Sequence, residues 1–131
     1  MGGVMFKDTP VVNGFSTNDT AKAKEFYGST LGFDVEENMG GILTLQFVNG
    51  GRTLVYPKSN HEPATFTVMN IIVTDIEKSV DELSAKGVKF ERYPDMQLDD
   101  KGIAWGKKAN MGPNIAWFKD PAGNILSLLE N

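Results

Sequence analysis

Cysteine is absent from the 131 residues, and histidine occurs once, as His61. The first absence excludes disulfides, a thiol nucleophile and any thiolate metal site. The two together leave a metal ion only a site built mainly from carboxylates. Basic residues are in the minority. The 13 Lys and Arg against 17 Asp and Glu give a net charge of −4, and the pI is about 4.9. That balance excludes nucleic acid as an expected partner, because phosphate backbones need a basic face. Long apolar runs are missing as well. None approaches the ~20 residues of a membrane helix, so no membrane association is expected. The opening Met1-Gly2-Gly3-Val4-Met5-Phe6 lacks the regions of a secretory leader, and Phe6 stands where a myristoylation signal has Ser or Thr. A cytoplasmic setting is the expectation.

What is present points to one domain. An apolar share of 40% and 14 glycines suit a globular chain with a full core and many turns. The most informative stretch is the last. Trp117-Phe118-Lys119 and Ile125-Leu126-Ser127-Leu128 flank Asp120-Pro121-Ala122-Gly123-Asn124. Asp120 can bond back to its own backbone, Pro121 presets φ, and Gly123 and Asn124 tolerate positive φ. This predicts a β-hairpin with a loop of about five residues. If Phe118 faces Leu126, Trp117 faces Ser127 on the opposite side of the sheet.

Upstream, residues 9–17 read as a strand, and Asn18 or Asp19 offers an N-cap. Ala23, Phe26, Tyr27 and Leu31 have helical spacing over residues 20–31, ending at Gly32. Strands follow at 33–37, 42–47 and 52–56. Residues 58–65 read as a linker. The pattern then restarts with a strand at 66–73, a helix capped by Asp75 and ending near Gly87, a strand at 88–93, a short strand near 103–106, and the hairpin. The chain therefore reads β-α-β-β-β twice. Asp19 matches Asp75 and Lys22 matches Lys78 at 56 positions, and Gly32 matches Gly87 at 55. The expected fold is α+β: two β-α-β-β-β modules, about 9–57 and 66–130, forming a curved mixed sheet around a cleft with helices outside.

Two motifs carry a resemblance. Asp19-x6-Phe26-Tyr27-x3-Leu31-Gly32-Phe33 and Phe118-x-Asp120-Pro121-x-Gly123-Asn124-x-Leu126-x-Leu128 resemble the signatures of the two modules of the vicinal oxygen chelate superfamily. That superfamily includes glyoxalases, bleomycin-resistance proteins and extradiol dioxygenases. The resemblance implies the paired-module fold, a homodimer, and, in the family's enzymes, a divalent metal held by His or Glu from four strands. At the corresponding positions this chain has Val12, Val68, Ser127 and, near the end of the first module, Val55. Valine has no lone pair to give, and serine is a poor ligand for Zn²⁺ or Fe²⁺. No metal and no cofactor are expected. His61, in the linker, reads as a solvated surface residue.

Strand alternation then predicts the cleft lining: Val12, Gly14 and Ser16; Val68, Asn70 and Ile72; and Ile115, Trp117, Ser127 and Leu129. Trp117 can stack on a planar ligand or simply fill the cleft. Trp105 can close over a ligand, or act as a packing plug or dimer contact. Asp99-Asp100-Lys101 reads as a solvated turn, and Met96 and Met111 as gap fillers. The expected function is metal-free binding of a small molecule, planar or cationic, with residues Trp117, Trp105, Ser127, Asn70, Ser16, Val12, Val68 and Val55 as the ligand-binding set. The alternative is an enzyme of the same superfamily with a non-standard or absent metal site. For that reading Glu36, Glu37 and Glu91 are the carboxylates a register shift would turn inward.

Overall fold

A computed structural model describes residues 5–131; residues 1–4, where the leader and myristoylation readings begin, lie outside the described residues. The order is β1 (Asn13–Thr17), α1 (Thr20–Glu25), β2 (Asp34–Glu37), β3 (Leu43–Gln46), β4 (Arg52–Pro57), β5 (Thr67–Ile72), α2 (Ile76–Ala85), β6 (Ala104–Trp105), β7 (Asn114–Lys119) and β8 (Ile125–Glu130). The fold is α+β. Two four-stranded sheets have the same order, β1-β4-β3-β2 and β5-β8-β7-β6. In each, the first strand lies parallel to the last, and the other pairs are antiparallel.

The repeated residues explain the repeated shape. The Asp19 side chain accepts from the Lys22 backbone N–H at 3.0 Å, and Asp75 accepts from that of Lys78 at 3.1 Å. Both helices thus start on an aspartate N-cap. Gly32 (φ 80°) and Gly87 (φ 93°) turn the chain where each helix ends. The first helix does not run regularly to Leu31. It widens into a π-helical turn over Phe26–Thr30, in which the Leu31 N–H reaches the Phe26 carbonyl at 2.9 Å.

The strand expected at residues 88–93 forms only an isolated bridge, Phe90 to Phe118. The outer edge of β7 is shared: β6 takes residues 114 and 115, and the chain near Phe90 takes the other end. Two short contacts therefore do the work of one strand.

The inner faces of both sheets and both helices build one core. Phe15, Leu43, Leu45 and Val55 come from the first sheet, and Met69, Ala116, Phe118, Leu126 and Leu128 from the second. Tyr27, Ile76 and Val80 fill the space beside them. Among the described residues no ladder joins the two sheets. They are joined through the π-turn and the hairpin loop: Phe26 lies 6.3 Å from Phe118, and the Asn124 amide donates to the Ser16 carbonyl at 2.8 Å.

Candidate functional site

The hairpin register is the expected one, with Phe118 opposite Leu126 and Trp117 opposite Ser127. Ser127 is in turn opposite Asn70 on β5. Phe118 and Leu126 are fully buried in the core, so Trp117, Ser127 and Asn70 share the other, open face of the second sheet. Ser127 is itself fully buried there, and its hydroxyl donates to Oδ1 of Asn70 at 2.5 Å. Ile115 and Ile72, both opposite Leu129, extend the face.

Next to Trp117 stands Tyr93, a residue the sequence pattern did not single out. Its ring meets the indole edge to face, with centroids 5.6 Å apart and planes at 74°. The Tyr93 hydroxyl is buried and has no hydrogen-bond partner among the described residues. Burial, and after it the charge of Glu91, hold this phenol above its ordinary pKa, against a smaller downward pull from Lys119. The Glu91 N–H donates to the Trp117 carbonyl at 2.8 Å, and its carboxylate sits 3.4 Å from Lys119 Nζ.

In the first sheet one expectation needs correction. Val55 is opposite Phe15 and Leu43 and is fully buried in the core. The open face carries its neighbours Leu54 and Tyr56, opposite Gly14 and Ser16. A one-residue error in counting along a strand inverts its faces, which is what separates the two assignments. Gly14 leaves room there, since a Cβ would sit 3.1 Å from the Leu54 carbonyl oxygen and 3.6 Å from the Tyr56 ring. Glu36 lies on this open face, opposite Thr44, and its carboxylate accepts from the Gln46 amide at 3.2 Å. Glu37 points the other way and pairs with Lys24 at 3.3 Å.

Other expected residues have different duties. Val12 precedes β1 and is exposed. Val68 is the extra residue of a β-bulge between Thr67 and Met69, and it packs partly buried against the core. Ser16 Oγ lies 2.7 Å from Nδ1 of His61, whose Nε2 lies 2.9 Å from the Ala122 carbonyl. A carbonyl only accepts, so Nε2 carries a proton; in the neutral ring Nδ1 accepts from Ser16. His61 is thus a half-buried strap between the linker, β1 and the hairpin loop, and not a solvated residue. Trp105 is opposite Asn114, packs against the core, and donates its indole N–H to Asp99 at 2.8 Å. It sits on the helix side as a packing plug, away from the Trp117 face. Asp99 likewise organises its loop, accepting from Lys101 and Ile103 N–H groups as well.

The donor set does not fit a divalent metal. The mapped positions hold Val12, Val68, Ser127 and either Leu54 or Tyr56, and the serine hydroxyl is already used. Among the described residues no three His, Asp or Glu side chains come together as a metal group. No helix of the described residues is long and apolar enough to cross a membrane.

Comparison with known proteins follows this geometry. The model of one family, described as Glyoxalase/Bleomycin resistance protein/Dioxygenase superfamily, matches residues 11–128. Among curated proteins none matches. Similar solved structures include TnmS3, an antibiotic binding protein from Streptomyces sp. CB03234, with 19% identity, TM-score 0.68, and 97% of this chain and 98% of that one covered. A glyoxalase-family protein from Bacillus anthracis has 19% identity and TM-score 0.72 over 100% and 99%. A member of the same superfamily from Sphaerobacter thermophilus has 23% identity and TM-score 0.70 over 97% and 100%. At these identities the likeness is one of fold.

Proposed function

The chain belongs to the Glyoxalase/Bleomycin resistance protein/Dioxygenase superfamily, and on that premise we propose that it binds a small planar molecule against Trp117 without a metal ion. The observation that carries this reading is the open-face patch of Trp117, Tyr93, Asn70 and Ser127, an aromatic corner with polar groups and no metal-ligand set. That TnmS3 is an antibiotic binding protein supports the binding of a small molecule. The cysteine-free composition supports a cytoplasmic setting.

The reading includes a homodimer. Both open faces lie outside the one core of a single chain, and they leave Ile72 70% and Tyr56 38% exposed. A second copy would cover them and complete a cleft. Light scattering should give twice the 14.4 kDa of one chain; a monomer would count against this part.

The metal question is tested by elemental content. Untagged protein, purified without chelator and dialysed separately against Ni²⁺, Zn²⁺ and Fe²⁺, should retain well under one ion per chain. Stoichiometric metal would overturn the reading. A second reading, an enzyme of the superfamily with an absent or unusual metal site, is favoured by one observation: Glu36 places a carboxylate on an open face. Any turnover found in a substrate screen should then vanish in Glu36→Gln.

A further inference from the structure

Resting on the reading that the Trp117 face takes the ligand, we propose that this ligand is a planar, acceptor-rich polycycle of the quinone or enone type, with a carbonyl oxygen receiving the Tyr93 hydroxyl. The polar groups nearest Trp117 lean toward donors. The Tyr93 hydroxyl is the buried side-chain polar atom that lacks a partner among the described residues. A shielded hydroxyl without a protein partner gains most from a ligand atom that reaches it. Since burial and Glu91 keep it protonated, it faces a ligand as an O–H donor.

Its neighbours have the same bias. Oδ1 of Asn70 is occupied by Ser127, which leaves the two amide N–H groups to offer. The Trp117 indole is a donor only, and it makes no hydrogen bond among the described residues, whereas the Trp105 indole is bound to Asp99. The Lys119 ammonium and the Glu91 carboxylate beside it are paired with each other. A planar cation would have to compete with Lys119 for the Glu91 carboxylate, despite the net charge of −4 of the whole chain. A ring system edged with carbonyl oxygens would find the Tyr93 hydroxyl and the Asn70 amide beside its stacking surface. Tyr93 lies 5.6 Å from Trp117 with its ring plane turned 74°, near enough to reach the rim of a ring stacked on that indole.

The test uses three probes of similar shape on the full-length protein by calorimetry: 2-(hydroxymethyl)anthraquinone, 2-anthracenemethanol, which lacks the carbonyls, and the cation proflavine. The quinone should bind at least about tenfold tighter than either other probe, the size of one net hydrogen bond. Tyr93→Phe should lose about that factor for the quinone and leave anthracenemethanol unchanged. Trp117→Ala should abolish binding of both. If Trp117→Ala abolishes binding but the quinone has no advantage, or Tyr93→Phe binds it as wild type does, the donor inference falls and the ligand face stands. If Trp117→Ala binds as wild type does, the ligand face itself falls, and the inference with it. Preference for proflavine, or no binding of any probe, overturns the inference. Thermal melts of Tyr93→Phe without ligand guard against misfolding: removing an unpaired hydroxyl should leave the midpoint unchanged or raise it.

Discussion

The Tyr27 hydroxyl donates to Oδ2 of Asp120 at 2.7 Å across 93 residues of sequence, joining the end of the first helix to the loop of the closing hairpin. Asp120 is otherwise saturated by its own loop, from the Ala122 and Asn124 N–H groups and the Asn124 amide. The aspartate that shapes the hairpin loop therefore also anchors the other module. Burial, and then the charge of Asp120, push the Tyr27 phenol far above its ordinary range.

The alkaline behaviour follows. The folded state holds the Tyr27 proton more tightly than the unfolded chain, so this stabilisation is complete below the unfolded pKa of 10.0 and declines above it. Stability should fall above pH 10 by up to about 1.4 kcal/mol per pH unit for this one proton. Tyr27→Phe should remove that dependence while costing about 1–3 kcal/mol at neutral pH. Urea unfolding of both proteins from pH 8 to 11 measures the difference; parallel curves would refute it.

The two tryptophans should separate cleanly. Trp117 belongs to the open face, and Trp105 is tied to Asp99 against the core. Trp105→Phe should lower stability by about 1 kcal/mol and leave binding of the probe quinone intact. Trp117→Ala should do the reverse, with binding lost and the melting midpoint little changed.

Asp99 should contribute to acid sensitivity. Burial alone would raise its pKa, but the hydrogen bonds from the Ile103 N–H, the Trp105 indole and the Lys101 N–H outweigh it and hold the carboxyl below its ordinary value of 3.8. A lowered folded pKa gives stability that is present above the unfolded value and lost as pH falls through the folded one. Between about pH 5 and 2.5 the melting midpoint of Asp99→Asn should fall less steeply than that of wild type. Equal slopes would assign the acid response to other carboxylates.

His61 should behave as a strap. His61→Ala removes both the Ser16 and the Ala122 bonds and should cost about 1–2 kcal/mol in denaturant unfolding. Its metal content should stay as low as that of wild type, since among the described residues no group of three His, Asp or Glu side chains includes it. A fall in bound metal on this substitution would restore a ligand role to the histidine.

What was legible in the sequence was whatever local chemistry dictates. Asp19 and Asp75 announce their helices, Gly32 and Gly87 end them, and the loop at residues 120–124 sets the register that puts Trp117 opposite Ser127. What was not legible depended on counting without such a marker. The family resemblance places its fourth position only near the end of the first module, and Val55 went to the wrong face. Trp105 lies in a two-residue strand, too short for alternation to say anything. Val68 sits in a bulge, which suspends alternation altogether. Tyr93 was missed because its segment pairs through a single bridge, so that only the folded chain brings it to Trp117.

The hairpin also limits how this lineage can vary. Along β7, Trp117 belongs to the open face and Phe118 to the core. Adding or deleting one codon in the loop at 120–124 would shift the pairing by one and exchange the two rings. The loop is crowded as well: a Cβ at Gly123 would come 3.0 Å from Pro63 of the linker. Substitution can therefore reshape the open face around Trp117, while the length of this loop stays fixed.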